Sequence, residues 1–144
     1  MTGVDTNILV AAHRADSPWH ARARRVLVDL AEGKLLWAIA WPCIHEFLAV
    51  VTHPGIYRPP TPMEVAITAV RSWGGSPFLR LIGETPGHLE TLSALVKQGH
   101  IQGPKVHDAR IAAICIAHGV RLLYTADRDF SRFPQLKVQN PLIG

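Results

Sequence analysis

A chain of 144 residues, 48% apolar and 18% charged, holds enough hydrophobic material for one ordinary globular core and excludes a disordered chain. Its net charge of +4 permits a polyanionic partner such as nucleic acid without requiring one. No cationic leader precedes an apolar run, and the longest strongly apolar stretch, "LLWAIAWPCI" at 35–44, falls far short of the roughly 18 residues a membrane span needs, so a soluble cytoplasmic protein with no membrane partner is expected.

In chain order, "TGVD" at 2–5 reads as a short strand ending in an acid, with Thr6 and Asn7 directly after it. Ser17-Pro18 announces a helix by an N-cap followed by proline. Trp19, Ala23, Val26, Leu27 and Leu30 form its apolar stripe, while His20, Arg22, Arg24, Arg25 and Asp29 take the other face, and Gly33 ends it. A strand "LLWAIA" at 35–40 then leads into a helix "PCIHEFLAVV" with proline near its start, and "THPGIYRPPTP" at 52–62 is a proline-rich connection.

Thr61-Pro62 repeats the helix-start device, with Glu64 completing a capping box and Val65, Ala66, Ala69, Val70 and Trp73 at helical spacing until Gly74-Gly75. A strand "FLRLIG" at 78–83 follows, then a third Thr85-Pro86 start with Leu89, Leu92, Leu95 and Val96 before Gly99. "PKVHDARIAAICIAHG" from Pro104 is a helix apolar nearly all round, as one buried in the middle of a fold would be. Strands "RLLYT" at 121–125 and "KVQN" at 137–140 close the list. Alternating strands and helices predict an α/β fold with a mostly parallel sheet covered on both faces, in a single domain over 1–144 without repeats.

Cys43 and Cys115 stand far apart in helical patterns and are expected as buried, reduced thiols. The eight histidines form no H-E-x-x-H, H-x-H or Cys/His cluster that would mark a zinc site.

The acids are more informative. Of eleven, Asp5, Glu46, Asp108, Asp127 and Asp129 lie in or beside apolar segments. Ligands of open parallel sheets bind beyond the carboxyl ends of the strands. Asp5 ends the first strand, Asp127 follows "RLLYT" by two residues, and Glu46 and Asp108 each lie about one turn past a proline helix start, so all four are expected at one sheet edge. Four bare carboxylates there would repel one another, and a divalent cation resolves this. Carboxylates and water suit Mg²⁺ or Mn²⁺, which polarise a phosphate and activate water, and a basic chain around such a pocket points to a phosphodiester substrate. Taken singly, each acid has a structural reading: helix-dipole partner for Asp108, turn or N-cap residue for Asp127 and Asp129, solvated helix residue for Glu46. Asp5 resists one, because an unpaired carboxylate beside a buried strand is costly.

With these residues assembled, the sequence resembles the PIN-domain ribonucleases, and closely the VapC toxins of bacterial toxin–antitoxin pairs. The resemblance rests on "VDTNILV", "HEFL", "VHDARIAAICIAHG" and "LLYTADRDFSRFPQLKV", in family order over nearly the whole chain. It implies a three-layer α/β/α sandwich, Mg²⁺- or Mn²⁺-dependent endonucleolytic cleavage of structured RNA such as tRNA or rRNA loops, a homodimer, and inhibition by a cognate VapB-type antitoxin seated near the active site. By position it implies Asp5, Glu46, Asp108 and Asp127 as the catalytic quartet. Asp5 and Asp108 are then metal ligands, Asp127 completes the shell directly or through water, and Glu46 orients the attacking water or ligates a second ion. Asp129 is a secondary acid, and Thr6, Asn7 and Thr125 are neutral hydrogen-bonding neighbours.

Arg14, Arg22, Arg24 and Arg25 are open to contact with RNA or antitoxin, and Trp19, Trp37, Trp41 and Trp73 to stacking on bases, although Trp19 and Trp73 occupy positions where packing is expected. His107 adjoins Asp108 but points about 100° away on a helix. A haloacid-dehalogenase-type phosphatase would want an acid where Asn7 stands, and a receiver module would want an acidic pair on the first strand. A non-catalytic RNA-binding module of the same fold would be expected to have lost acids, and all four are present.

Overall fold

The computed structural model describes residues 1–144. Five strands, β1 Thr2–Val4, β2 Trp37–Ala40, β3 Leu79–Ile82, β4 Leu122–Tyr124 and β5 Lys137–Gln139, pair in the order β3-β2-β1-β4-β5, all parallel. All five coincide with the predicted runs, trimmed at the ends. Leu35 and Leu36 fall outside β2 and are exposed, and Asp5 lies one residue past β1.

Six α-helices fill the connections: α1 Thr6–His13, α2 His20–Glu32, α3 Trp41–Val51, α4 Met63–Gly74, α5 His88–Gln98 and α6 Val106–Ala117. α1 packs on α2 and α3, and α3 on α4, whereas α5 packs on α6. This is what right-handed crossovers produce when the first two step one way along the sheet and the third returns past β1. The result is the three-layer α/β/α arrangement. β2 is buried along its whole length, as a strand covered on both faces must be.

The predicted helix starts need correction. α2 and α5 begin three residues after Ser17 and Thr85, with the Ser17 hydroxyl accepting from the Trp19 N–H and the Thr85 carbonyl from the His88 N–H. The expected capping box at Thr61 and Glu64 does not form. Pro62 is the N-cap of α4, and the Thr61 hydroxyl instead accepts from Arg14 of the neighbouring loop, a tertiary partner that local spacing does not disclose. α1, absent from the predicted elements, starts at once after β1 because Asp5 caps it: its Oδ1 accepts from the Thr6 N–H at 2.8 Å.

One apolar core runs through both layers. Trp37 is fully buried and its indole N–H donates to Ser76 Oγ at 3.1 Å; Phe47 of α3 meets Trp73 of α4 edge-on at 4.8 Å. A Cβ at Gly3 would stand 3.1 Å from the Val120 side chain, 3.2 Å from Leu123 of β4 and 3.7 Å from Cys115 of α6, so the central strand is tightly packed where this glycine stands. Gly119, at φ 76°, closes α6 in the left-handed conformation that glycine adopts freely. Both cysteines are buried free thiols.

Candidate active site

The order in which the chain adds strands reverses between β1 and β4, and the carboxyl ends of these parallel strands open onto one groove. Asp5 and Thr125 leave these adjacent strands side by side, held by main-chain bonds from Asp5 N to Tyr124 O at 2.9 Å and from Thr125 N to Gln139 O at 3.0 Å. A carboxylate and a hydroxyl 120 residues apart in sequence thereby meet.

Asp5 is 5% exposed and is held by donors on both oxygens. Oδ1 accepts from the Thr6 N–H and, at 3.6 Å, the Cys43 thiol; Oδ2 accepts from Thr125 Oγ1 at 2.7 Å and Asn7 Nδ2 at 3.2 Å. The Thr125 hydroxyl also accepts from Asn7 Nδ2 and the Asp127 N–H, which uses both its lone pairs and commits its single proton to Asp5. The site is therefore wired for the charged form of Asp5. Burial nonetheless pushes its carboxyl above the ordinary range, against the pull of Thr125, Thr6 and Cys43, and Asp127 pushes it further. Asn7 also accepts from the Ala126 N–H at 3.0 Å, so the position where a dehalogenase-type phosphatase would want an acid serves instead to tie α1 to the β4 exit.

Asp108 stands in the first turn of α6, where the helix N-terminus favours negative charge. Asp127 caps the 3₁₀ turn 128–132 through an Oδ1 that accepts from the Asp129 N–H at 2.9 Å, so its turn role and its place in the groove coexist. One carboxylate oxygen each from Asp108, Asp127 and Asp129 lie within 4.8 Å of one another. Asp5 is outside this trio. Lys105, in the turn before α6, forms an ion pair with Asp129 at its edge.

Partial burial raises the Asp108 carboxyl, and Asp127 and then Asp5 add to the shift; partial burial likewise raises Glu46, with Asp5 and Asp108 contributing. The four acids read from the sequence thus share one field. Glu46 is exposed at the rim, and the Thr6 hydroxyl near it is buried without a hydrogen-bond partner. Bare clustered carboxylates and an unpaired buried hydroxyl are the donor set a hard divalent cation would satisfy.

The groove has a volume of about 400 Å³, and Asp5, Thr6, Asn7, Glu46, Asp108 and Asp127 line it together with Trp19, Tyr57 and aliphatic side chains of α1, α3 and α6. Trp19 corrects the expectation of a packed indole: lying before the start of α2 rather than on its stripe, it is 46% exposed. Trp37 is core, Trp73 packs edge-on against Phe47 outside the groove, and Trp41 is exposed outside it. Arg14 is committed as a brace, donating to both Asp16 oxygens and to Pro59 O.

The sequence places Cys43 as a buried thiol without disclosing its contact with Asp5, and does not single out Lys105 or Tyr57. Cys43 bears no signal beyond burial, whereas Tyr57, an aromatic in a proline-rich connection, and Lys105, three residues before an acid, were open to notice.

The chain matches the PIN domain family model over residues 4–136. It is 31% identical over 141 residues to Ribonuclease VapC48 of Mycobacterium tuberculosis, covering 97% of each chain. Among solved structures, VapC20 of M. tuberculosis, described as a Sarcin-Ricin loop cleaving toxin, superposes with a TM-score of 0.66 at 21% identity, over 91% of this chain and 93% of that one. A toxin–antitoxin complex from Klebsiella pneumoniae superposes with a TM-score of 0.62 at 19% identity, over 98% of each chain.

Proposed function

Because this chain belongs to the PIN-domain family, among the VapC ribonucleases, we propose that its groove hydrolyses RNA phosphodiester bonds with a divalent cation, Mg²⁺ or Mn²⁺, and that the protein is the toxin of a toxin–antitoxin pair. The observation that carries the mechanism is the convergence of Asp5, Glu46, Asp108 and Asp127 from four segments in one groove, with Asp129 completing a trio of oxygens within 4.8 Å. Asp5, Asp108 and Asp127 would hold the cation, with Asp129 in reach. When bound, it supplies a Lewis acid to the phosphate and a lowered pKa to the attacking water.

The chain's own groups do the rest. Thr125, Asn7 and Thr6 keep Asp5 charged and fixed, so the site is organised before substrate arrives. Glu46, exposed at the rim of the groove, accepts the proton of the attacking water on its carboxylate. Basic residues outside the groove hold flanking phosphates.

The substrate is structured RNA, such as a tRNA or rRNA loop, and a small VapB-type antitoxin expressed alongside restrains the enzyme in the cytoplasm; the active form is a homodimer. No helix is long and apolar enough to cross a membrane. Mapping RNA 5′ ends after a short pulse of expression tests this reading. New ends at a few loop positions, absent for Asp5→Asn and relieved by co-expressing the adjacent small open reading frame, are expected. An unchanged end profile would refute it.

A further inference from the structure

We infer that Trp19, with Tyr57, forms a base-stacking subsite of the groove, so that the enzyme takes unpaired RNA and grips a nucleobase close to the bond it cuts; this rests on the nuclease reading above.

Three observations carry it. First, the Trp19 indole is spare in structural terms: it is 46% exposed, off the buried stripe of α2, and lines the same groove as the acids. Its backbone is nonetheless pinned, because the Trp19 N–H donates to Ser17 Oγ at 3.2 Å and the Trp19 carbonyl accepts from Ala23 N at 2.9 Å. An aromatic that the core does not use, fixed beside a phosphate-cutting centre, is a platform in place before binding.

Second, Tyr57 is locked from behind. The Arg14 guanidinium stands 4.2 Å over its ring, and donates to both Asp16 oxygens, to Pro59 O at 3.0 Å and to Thr61 Oγ1 at 3.2 Å. One connection thus presents Tyr57 to the groove and the other presents Trp19, and the Tyr57 ring is already braced before binding.

Third, arginines follow Trp19 closely in the chain. His20, Arg24 and Arg25 line a depression on α2, and Arg22 donates to Pro141 O beside Leu142 of the groove wall. An aromatic platform continuing into a basic track is how single strands are bound without base-edge readout: bases stack, and phosphates follow the charge. An acidic protein segment could follow the same charge but would leave the aromatic faces without the flat partner that a nucleobase offers. A paired base offers no free face, which is the physical reason a loop, and not a duplex, is the substrate.

The test is a double-mutant cycle on binding, measured by anisotropy in Ca²⁺ with a short fluorescein-labelled oligoadenylate and with its abasic counterpart of equal length. Trp19→Ala is expected to weaken oligoadenylate binding roughly tenfold, with Trp19→Phe recovering most of it. Both variants and the parent are expected to bind the abasic strand alike. Equal discrimination between the two strands by parent and Trp19→Ala overturns the subsite, as does a Trp19→Ala variant that loses affinity only for the co-expressed antitoxin. Cleavage is read separately in Mg²⁺. A parent that stacks oligoadenylate through Trp19 yet cuts no RNA would sink the nuclease reading and leave the subsite standing, while one that cuts RNA without this coupling would do the reverse.

Discussion

Thr125 Oγ1 donates to Asp5 Oδ2 at 2.7 Å, the shortest of four hydrogen bonds that hold this buried carboxylate at the mouth of the groove. Thr125→Val leaves the oxygen facing an apolar wall, strands the Asp127 N–H and leaves Asn7 Nδ2 with Asp5 as its one acceptor. A loss of about 1–3 kcal/mol in urea unfolding is expected, together with weaker Mn²⁺ binding, and Thr125→Ser should restore both. A valine variant as stable as the parent would mean the hydroxyl is not holding the charge.

Asp5→Asn should abolish metal-dependent RNA cleavage, by about a hundredfold or more, with an unchanged circular dichroism spectrum. Single-turnover cleavage in Mg²⁺ checks it. A variant cutting as fast as the parent would remove Asp5 from the mechanism.

Asp108 and Glu46 lie above their ordinary values of 3.8 and 4.5, and so does Asp5 above 3.8. The folded protein therefore binds these protons more tightly than the unfolded chain. The resulting penalty on the metal-free fold is absent below the ordinary carboxylate range and complete above the raised values. Asp108→Asn should thus raise the Tm of the metal-free protein at pH 7, with the gain shrinking as pH falls toward about 4. The same variant should lose most of the parent's Mg²⁺-induced Tm increase, which would be about 2.7 kcal/mol of stabilisation at a hundredfold excess over Kd. Thermal melts at several pH values, with and without Mg²⁺, decide it.

Cleavage should show an acid limb that Glu46→Gln removes along with most of the rate. The rate against pH for parent and variant at saturating Mg²⁺ provides the comparison.

Lys105 shares Asp129 with any cation entering the trio. Lys105→Gln should tighten Mn²⁺ binding by up to about fivefold, the worth of one exposed ion pair, while titration calorimetry reports unchanged stoichiometry.

The five strands, every helix but α1 and the set of acids were legible without coordinates, because these signals are local. Strand runs, glycine stops and carboxylates in apolar company follow from composition and period over a few residues, and all five strands fell where alternation placed them. Parallel pairing then put the ends of β1 and β4 together, since short β–α connections at a reversal leave little choice. The geometry among the acids was decided only in three dimensions. Asp129, read as secondary, stands with Asp108 and Asp127, while Asp5 lies outside that trio on the same groove, held by Thr125, Asn7 and Cys43, because a 3₁₀ turn after β4 brings Asp129 in and the N-cap position ties Asp5 to Thr6. The same holds for Trp19 and Thr61. Helical spacing assigned them to a stripe and a cap, but each lies just outside its helix, where the partner is whatever the neighbouring loop brings, and periodicity carries no information about that.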